Sequence, residues 1–184
     1  MSDILLVKNV LEKKKYRYFE DELNIIGVRN TDNPNMFDDI LYLIYKDSIS
    51  KYTISTDPGF KSLIKPLTSK GCAILVPNQY IDCWSLGLHK GKYEALVQVK
   101  PVTVYRDNNK DKILDLKNPE TGLFGINIHR ANPDMPSTYV EDWSAGCQVF
   151  KDPQEYKTFI QLCKLHQTFD KLFTYTLLEH KDFI

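Results

Sequence analysis

Apolar and β-branched runs of strand length, separated by turn residues, dominate this chain. "ILYLIYK" (Ile40 to Lys46) and "KYTIST" (Lys51 to Thr56) are rich in β-branched and aromatic residues, with "DSIS" between them, and such composition suits a pleated, half-buried surface. "DPG" (Asp57 to Gly59) predicts a turn, with Pro58 presetting φ and Gly59 free to take positive φ. "CAILVP" (Cys72 to Pro77) reads as a buried strand ended by its proline. "YEALVQVK" (Tyr93 to Lys100) and "VTVYR" (Val102 to Arg106) read as strands on either side of Pro101. "GLFGINIH" brings a strand up to His129, "CQVF" (Cys147 to Phe150) is a short strand after the small turn "SAG", and "KLFTYTLLEH" (Lys171 to His180) is a last strand.

One helix stands out, near residues 153–166. Asp152 is placed as its N-cap, Pro153 at its first position and Glu155 in its first turn. Tyr156, Phe159, Ile160 and Cys163 then recur at helical spacing and form an apolar face. Residues 1–30 are ambiguous: "NIIGVRN" has strand character and the lysine run before it is compatible with helix. Many strands and one firm helix predict a β-rich α+β fold. The 184 residues suit a single domain spanning 1–184, with 1–30 packing on it.

Charge narrows the function classes. Lys plus Arg equals Asp plus Glu at 24 each, which gives no basic excess for binding nucleic acid or an anionic membrane. The basic cluster "EKKKYR" (Glu12 to Arg17) is followed at once by Glu20, Asp21 and Glu22, and reads as a solvated face. No stretch approaches the roughly 18 apolar residues of a membrane span, and "MSDILLV" lacks the features of a secretory signal. The expectation is a chain made in the cytoplasm with no membrane insertion. Cysteines 72, 83, 147 and 163 form no C-x-x-C pair and no zinc-finger spacing, so free thiols are expected and neither metal nor cofactor is called for. Cys72, Cys83 and Cys163 read as small buried hydrophobes.

Cys147 differs in its surroundings. It follows the small residues Ser144, Ala145 and Gly146, so a substrate carbonyl has room to approach, and a tight turn there can aim backbone N–H groups one way. His129 ends a strand, a rigid place from which to present a base. Because a free thiol with a pKa of about 8.5 is mostly protonated at neutral pH, such a base is what a nucleophilic cysteine needs. A buried thiol and an unrelated loop histidine is the alternative, since cysteine is among the most buried residue types.

The wording "IH" at 128–129, a fourteen-residue spacer, and "SAGC" at 144–147 resembles the L,D-transpeptidase catalytic domain, also called YkuD-like, whose pattern is a His, a spacer of that length and Ser/Thr-His-Gly-Cys. The resemblance implies a mixed β-sheet or sandwich domain with Cys147 as nucleophile and His129 as base. It makes the Ser144–Gly146–Cys147 turn the carrier of oxyanion donors, and a peptidoglycan stem peptide the substrate. Ala145 stands where the family has His, and Gln148-Val149 replaces an apolar residue followed by Arg or Asn, a departure that bears on recognition of the substrate carboxylate; Gln148 is the residue placed to substitute. A wider set of words, "TDPG", "KGCAILVPNQY", "GLHKGKYEALVQ", "VTVYRDNNKD", "GLFGINIHRA" and "WSAGCQVF", is similar to a group of bacteriophage and prophage proteins. That similarity implies a phage-encoded wall-acting enzyme, reaching the wall after release or as a virion component beside other virion proteins. The alternative is a non-enzymatic virion or assembly protein on a degenerate version of the same fold.

Further residues qualify the site. "GLHKGKY" (Gly87 to Tyr93) reads either as a hairpin with a surface histidine or as a second active-site wall, with His89 and Lys90 or Lys92 meeting a peptide carboxylate. Trp143 is placed as a cleft wall or as core. Arg130 faces either the cleft, attracting a carboxylate, or solvent. Asp134, Glu141 and Asp142 are solvated loop acids unless one orients His129; a backbone carbonyl is the other orienting group. "DNNKDKILD" (Asp107 to Asp115) spaces oxygens like the start of a calcium loop, but Lys112 occupies the glycine position and Asn118 the place of the bidentate Glu. A polar hairpin before "ILDL" explains it more simply.

Overall fold

Eight strands hydrogen-bond in a closed ring, and a separate three-stranded sheet covers part of it. The computed structural model describes residues 2–30, 33–166 and 172–184. In chain order the strands are β1 (Asn24–Arg29), β2 (Asp39–Tyr45), β3 (Ser48–Ser55), β4 (Cys72–Leu75), β5 (Asn78–His89), β6 (Tyr93–Gln98), β7 (Val102–Asp107), β8 (Glu120–Gly122), β9 (Ile128–Arg130), β10 (Gln148–Phe150) and β11 (Phe173–Glu179). The ring runs β1-β11-β5-β6-β9-β10-β3-β2, and β4-β7-β8 form the small sheet. The pairs β1–β11 and β9–β10 are parallel and the others antiparallel. The β-rich α+β class and a large mixed sheet are therefore observed, with the sheet closed on itself.

The principal core joins inward residues of the ring, including Leu41, Ile54, Trp84 and Tyr175, to Leu75 and Val104 of the small sheet. Helix α3 (Pro153–His166) lies on this core with the face read from its spacing: Tyr156, Phe159, Ile160 and Cys163 are buried. Asp152 caps it, its Oδ1 accepting from Gln154 N at 2.7 Å. The Tyr156 hydroxyl donates to Glu94 O at 2.6 Å and so ties the helix to β6. Helix α1 (Asp3–Lys13) resolves the ambiguous N-terminus. Val7, Val10 and Leu11 pack on Ile26, Val28, Tyr42, Ile44 and Leu178, a second cluster outside the principal core. The third helix, α2 (Phe60–Ile64), is one short turn-like segment.

Several local expectations change, each for a visible reason. The long strand β5 has no counterpart in the sequence reading, because Asn, Asp and Gly interrupt its apolar residues and Asp82 bulges at φ +54°. "GLFGINIH" is strand only from Ile128; before it, Gly125 turns at φ +70°, and the Gln98 side chain takes the backbone groups a ladder would use. Gln98 Oε1 accepts from Phe124 N and Ile126 N, and its Nε2 donates to Gly122 O. "ILDL" is not a strand: the oxygens of Asn109 and Asp111 bond the N–H groups of their own loop, and Asp107 Oδ2 accepts from Asp115 N. These oxygens close the loop rather than arrange a calcium site, and among the described residues no group of His, Cys, Asp or Glu side chains is set to hold a metal. The final strand begins at Phe173; Lys171 lies outside the described residues.

"DPG" is not a positive-φ turn. Gly59 sits at φ −82° as the N-cap of α2. A glycine is needed there because a Cβ would lie 2.0 Å from Glu141 O, in the backbone of the loop that leads to Cys147. A buried ionic cluster holds this segment. The Arg29 guanidinium, 1% exposed, donates to Thr56 Oγ1, Thr56 O and Leu75 O and pairs with Asp57 at 3.0 Å. Asp39 accepts from Asn30 N and Thr56 N at 2.6 Å each, while burial and the nearby Asp57 carboxyl push it up to about 7. Removing one partner strands the others away from water. Arg29→Met is expected to lower unfolding free energy by about 3–5 kcal/mol, read from urea unfolding curves; a loss within error of zero would contradict this account of the cluster.

Candidate active site

Parallel pairing of β9 with β10 creates the site. Its register sets Gln148 beside Ile128 and Val149 beside His129, so Cys147, one residue before β10, falls beside Asn127. A parallel pair cannot be joined by a tight turn and needs a crossover of a dozen or more residues. Residues 131–147 are that crossover, which gives the spacer between His129 and Cys147 a structural reason. The loop is clamped by buried Asn35, whose Oδ1 accepts from Phe60 N and Glu141 N and whose Nδ2 donates to Glu141 Oε1.

The cysteine turn is held from three sides. Gly59 N donates to Ser144 O, and Ala73 N donates to Ala145 O. The buried Ser144 hydroxyl donates to Cys147 O and accepts from Gly146 N, both at 3.0 Å. Ser144 thus fixes the turn, and the Gly146 N–H is spent inside it rather than held out as an oxyanion donor. Cys147 N–H bonds to none of the described residues, so it is the donor the turn leaves open. Gly146 has φ +131°, and a Cβ would lie 1.8 Å from Ala73 O. Gly146→Ala is expected to cost about 2–4 kcal/mol through backbone strain and overlap with the β4 backbone, measured as a lower midpoint in chemical denaturation.

Cys147 and His129 both face one cavity of about 840 Å³, at the upper end of ordinary ligand pockets. Its lining includes Trp143, His89, Lys90, Asp142 and Ala145, which the sequence singled out; Phe124, Ile126, Lys61 and Lys65 add apolar and cationic surface. The thiol donates to Gly125 O and accepts from Asn127 N, each at 3.4 Å. It makes no direct hydrogen bond to His129. Burial raises the thiol's pKa, against the pull of Asn127 N–H and Lys90. His129, 2% exposed, is pushed down to about 3, chiefly by burial and then by His89, Lys90 and Arg130. The resting pair is a neutral thiol and a neutral imidazole.

The proton on His129 is placed by its neighbours. Nδ1 lies 2.8 Å from Arg130 O, an acceptor only, so Nδ1 carries the hydrogen and Nε2 keeps a lone pair. The Tyr93 hydroxyl, 3.1 Å from both groups, closes the arrangement and donates to Arg130 O. The orienting group is a backbone carbonyl. None of the loop acids bonds His129: Glu141 bonds Asn35, Glu141 and Asp142 face Lys61 at 3.8 and 3.9 Å, with Asp142 on the cavity wall, and Asp134 is exposed.

Two expected binding residues are not at the cavity. Arg130 stacks over Tyr93 at 4.2 Å and lines a separate groove beside α3. Gln148 is fully buried, donating to Gly146 O and accepting from the Tyr175 hydroxyl at 2.8 Å; β10 lies inside the closed sheet, and its first side chain points into the core. "GLHKGKY" is a hairpin, as one reading had it, but His89 is 7% exposed and turned into the cavity wall. Tyr93 and Asn127 were missed; only the tyrosine's position across the hairpin from His89 could have signalled it.

Comparison with family models, curated proteins and solved structures returns no match. The chemistry of the site therefore rests on its geometry. Cys72, Cys83 and Cys163 are buried and Cys147 is partly exposed. Iodoacetamide on the folded protein is expected to add one label per chain, at Cys147, with the site identified by peptide mass mapping.

Proposed function

We propose that the chain is a cysteine-dependent enzyme of L,D-transpeptidase type acting on peptidoglycan stem peptides. The observation that carries this reading is the pairing of a partly exposed thiol with an imidazole whose Nε2 is left free, in one cavity. Cys147 Sγ attacks a peptide carbonyl next to a D-amino acid while His129 Nε2 takes the thiol proton. The Cys147 N–H meets the developing oxyanion. Collapse gives a thioester and expels the amine, which takes its proton from His129 Nε2–H. Water or an amine then attacks the thioester, with Nε2 again as base, and frees the thiol.

Neutral partners suit this order of events, because the proton moves as the carbon–sulfur bond forms. Lys61, Lys65 and Lys90 place positive charge around the cavity, suited to the carboxylates of a stem peptide. Phe124 and Trp143 supply apolar walls. A phage-encoded enzyme that cleaves the wall after release, or from within a virion, is the biological setting this reading favours. Among the described residues no helix is long and apolar enough to cross a membrane.

One observation favours a non-enzymatic virion role instead: the thiol bonds backbone groups and not the imidazole. Digests of Gram-negative and Gram-positive peptidoglycan, read by mass spectrometry, decide between the two. The enzyme reading expects new fragments with the wild type, none with Cys147→Ala, and a fall of about 10²–10⁴-fold with His129→Ala. Fragment masses separate hydrolysis from transpeptidation. Walls left unchanged by the wild type would contradict the reading.

The pH dependence has a definite sign. A base pushed down to about 3 stays unprotonated well below the ordinary histidine range. kcat/KM is therefore expected to hold its plateau as pH falls from 7 to about 5, where an unperturbed histidine near 6.5 would already have lost most of it. A pH–rate profile checks this.

A further inference from the structure

His89 and His129 lie face to face, ring centroids 3.9 Å apart and planes 22° from parallel. The contact is built. Gln98 N donates to Asn127 Oδ1 at 3.1 Å, which fixes the amide's orientation. Asn127 Nδ2 therefore points its hydrogen at His89 Nδ1, 3.1 Å away, so His89 Nδ1 is an acceptor and its hydrogen sits on Nε2. Tyr93, directly across the hairpin from His89 in register, bonds the other end of the same unit at His129 Nδ1 and Arg130 O. One hairpin end thus grips His129 by face and by edge, and each imidazole has its tautomer set by a different partner.

We propose that His89 is a positioning residue: locked by Asn127, its ring clamps the base His129 in one orientation and keeps it uncharged in the resting site, ready to accept the thiol proton. The proposal rests on the reading of His129 as the base. Its physical content is that two imidazoles in van der Waals contact, both withdrawn from water, cannot both become cations. The other charged and titratable groups around His129 are Lys90 in the hairpin turn, Tyr93 on β6, Arg130 on β9 and Cys147 before β10. Lys61, Lys65 and Asp142 lie across the cavity. Lys90 and Arg130 act in the same sense as His89, so removing His89 reduces the effect without abolishing it. The arrangement also explains how a turn with Ala145 beside the nucleophile still has a second imidazole at the site, delivered from β5 and not from the cysteine turn.

The test uses nitrogen-15-labelled histidine and long-range proton–nitrogen spectra of the full chain, which distinguish the tautomers of its four histidines. The wild type is expected to show His129 protonated at Nδ1 only and His89 at Nε2 only, both unchanged between pH 8 and about 5. His89→Ala is expected to raise the titration of His129 by about one pH unit or more and to show both of its tautomers. His89→Phe, which keeps a flat ring in the stack, is expected to restore the single tautomer. An unshifted, single-tautomer His129 in His89→Ala would overturn the proposal. If that variant does not fold, the wild-type spectra decide: Nδ1–H on His89, or averaged tautomers on either ring, would also overturn it. These readouts need no turnover, so a protein inactive on every wall but with the expected spectra keeps the positioning role and loses the enzyme reading.

Discussion

The parallel contact between β9 and β10 is the constraint from which the site follows. It consists of three residue pairs, yet it sets His129 and the cysteine turn side by side, places Asn127 under the thiol, and requires the long crossover that walls the cavity. Neither strand is long enough to be stable alone. The closed ring supplies what they lack, because β6 flanks β9 and β3 flanks β10, leaving no free edge. The buried Arg29 cluster then anchors the segment leading into Gly59, and Gly59 and Ala73 grip the cysteine turn from opposite sides.

Burial has a double effect on this chemistry. It drives the thiol toward its protonated form and the imidazole toward its neutral form, so no ion pair stands ready. A preformed thiolate would be a better resting nucleophile, but it would need a charged histidine in a site that already faces Lys90. The structure has the other solution, a free Nε2 held by the Arg130 carbonyl, Tyr93 and the stacked His89. Lys61, Lys65 and Lys90 line the cavity, and in the proposed mechanism they meet an anionic substrate while His129 keeps its lone pair.

Much of this was legible in the sequence, and the failures share a cause. Apolar runs with β-branched residues gave β2, β3, β4, β6, β7 and β11 to within a few residues, and the spacing of Tyr156, Phe159, Ile160 and Cys163 gave α3 and its buried face. The histidine, the cysteine and the small turn between them were readable because their chemistry is local. What stayed hidden depends on partners distant in the chain. Gln148 looks like a binding residue until β10 is seen inside a closed sheet. Gly59 looks like a turn residue until the Glu141 backbone is found against it. Asn127 carries no signal at all, since its role comes from being set opposite Cys147 and within reach of His89 and Gln98.

The central claim is that Cys147 forms a covalent acyl intermediate assisted by His129. The most direct measurement is intact-protein mass after mixing with a stem peptide and quenching in acid, which preserves a thioester. The account predicts a mass increase equal to the acyl part of the peptide, mapped to Cys147, absent in Cys147→Ala and accumulating far more slowly in His129→Ala. A wild-type mass that stays at that of the free chain, with peptide in excess and quench times from milliseconds to minutes, would contradict it.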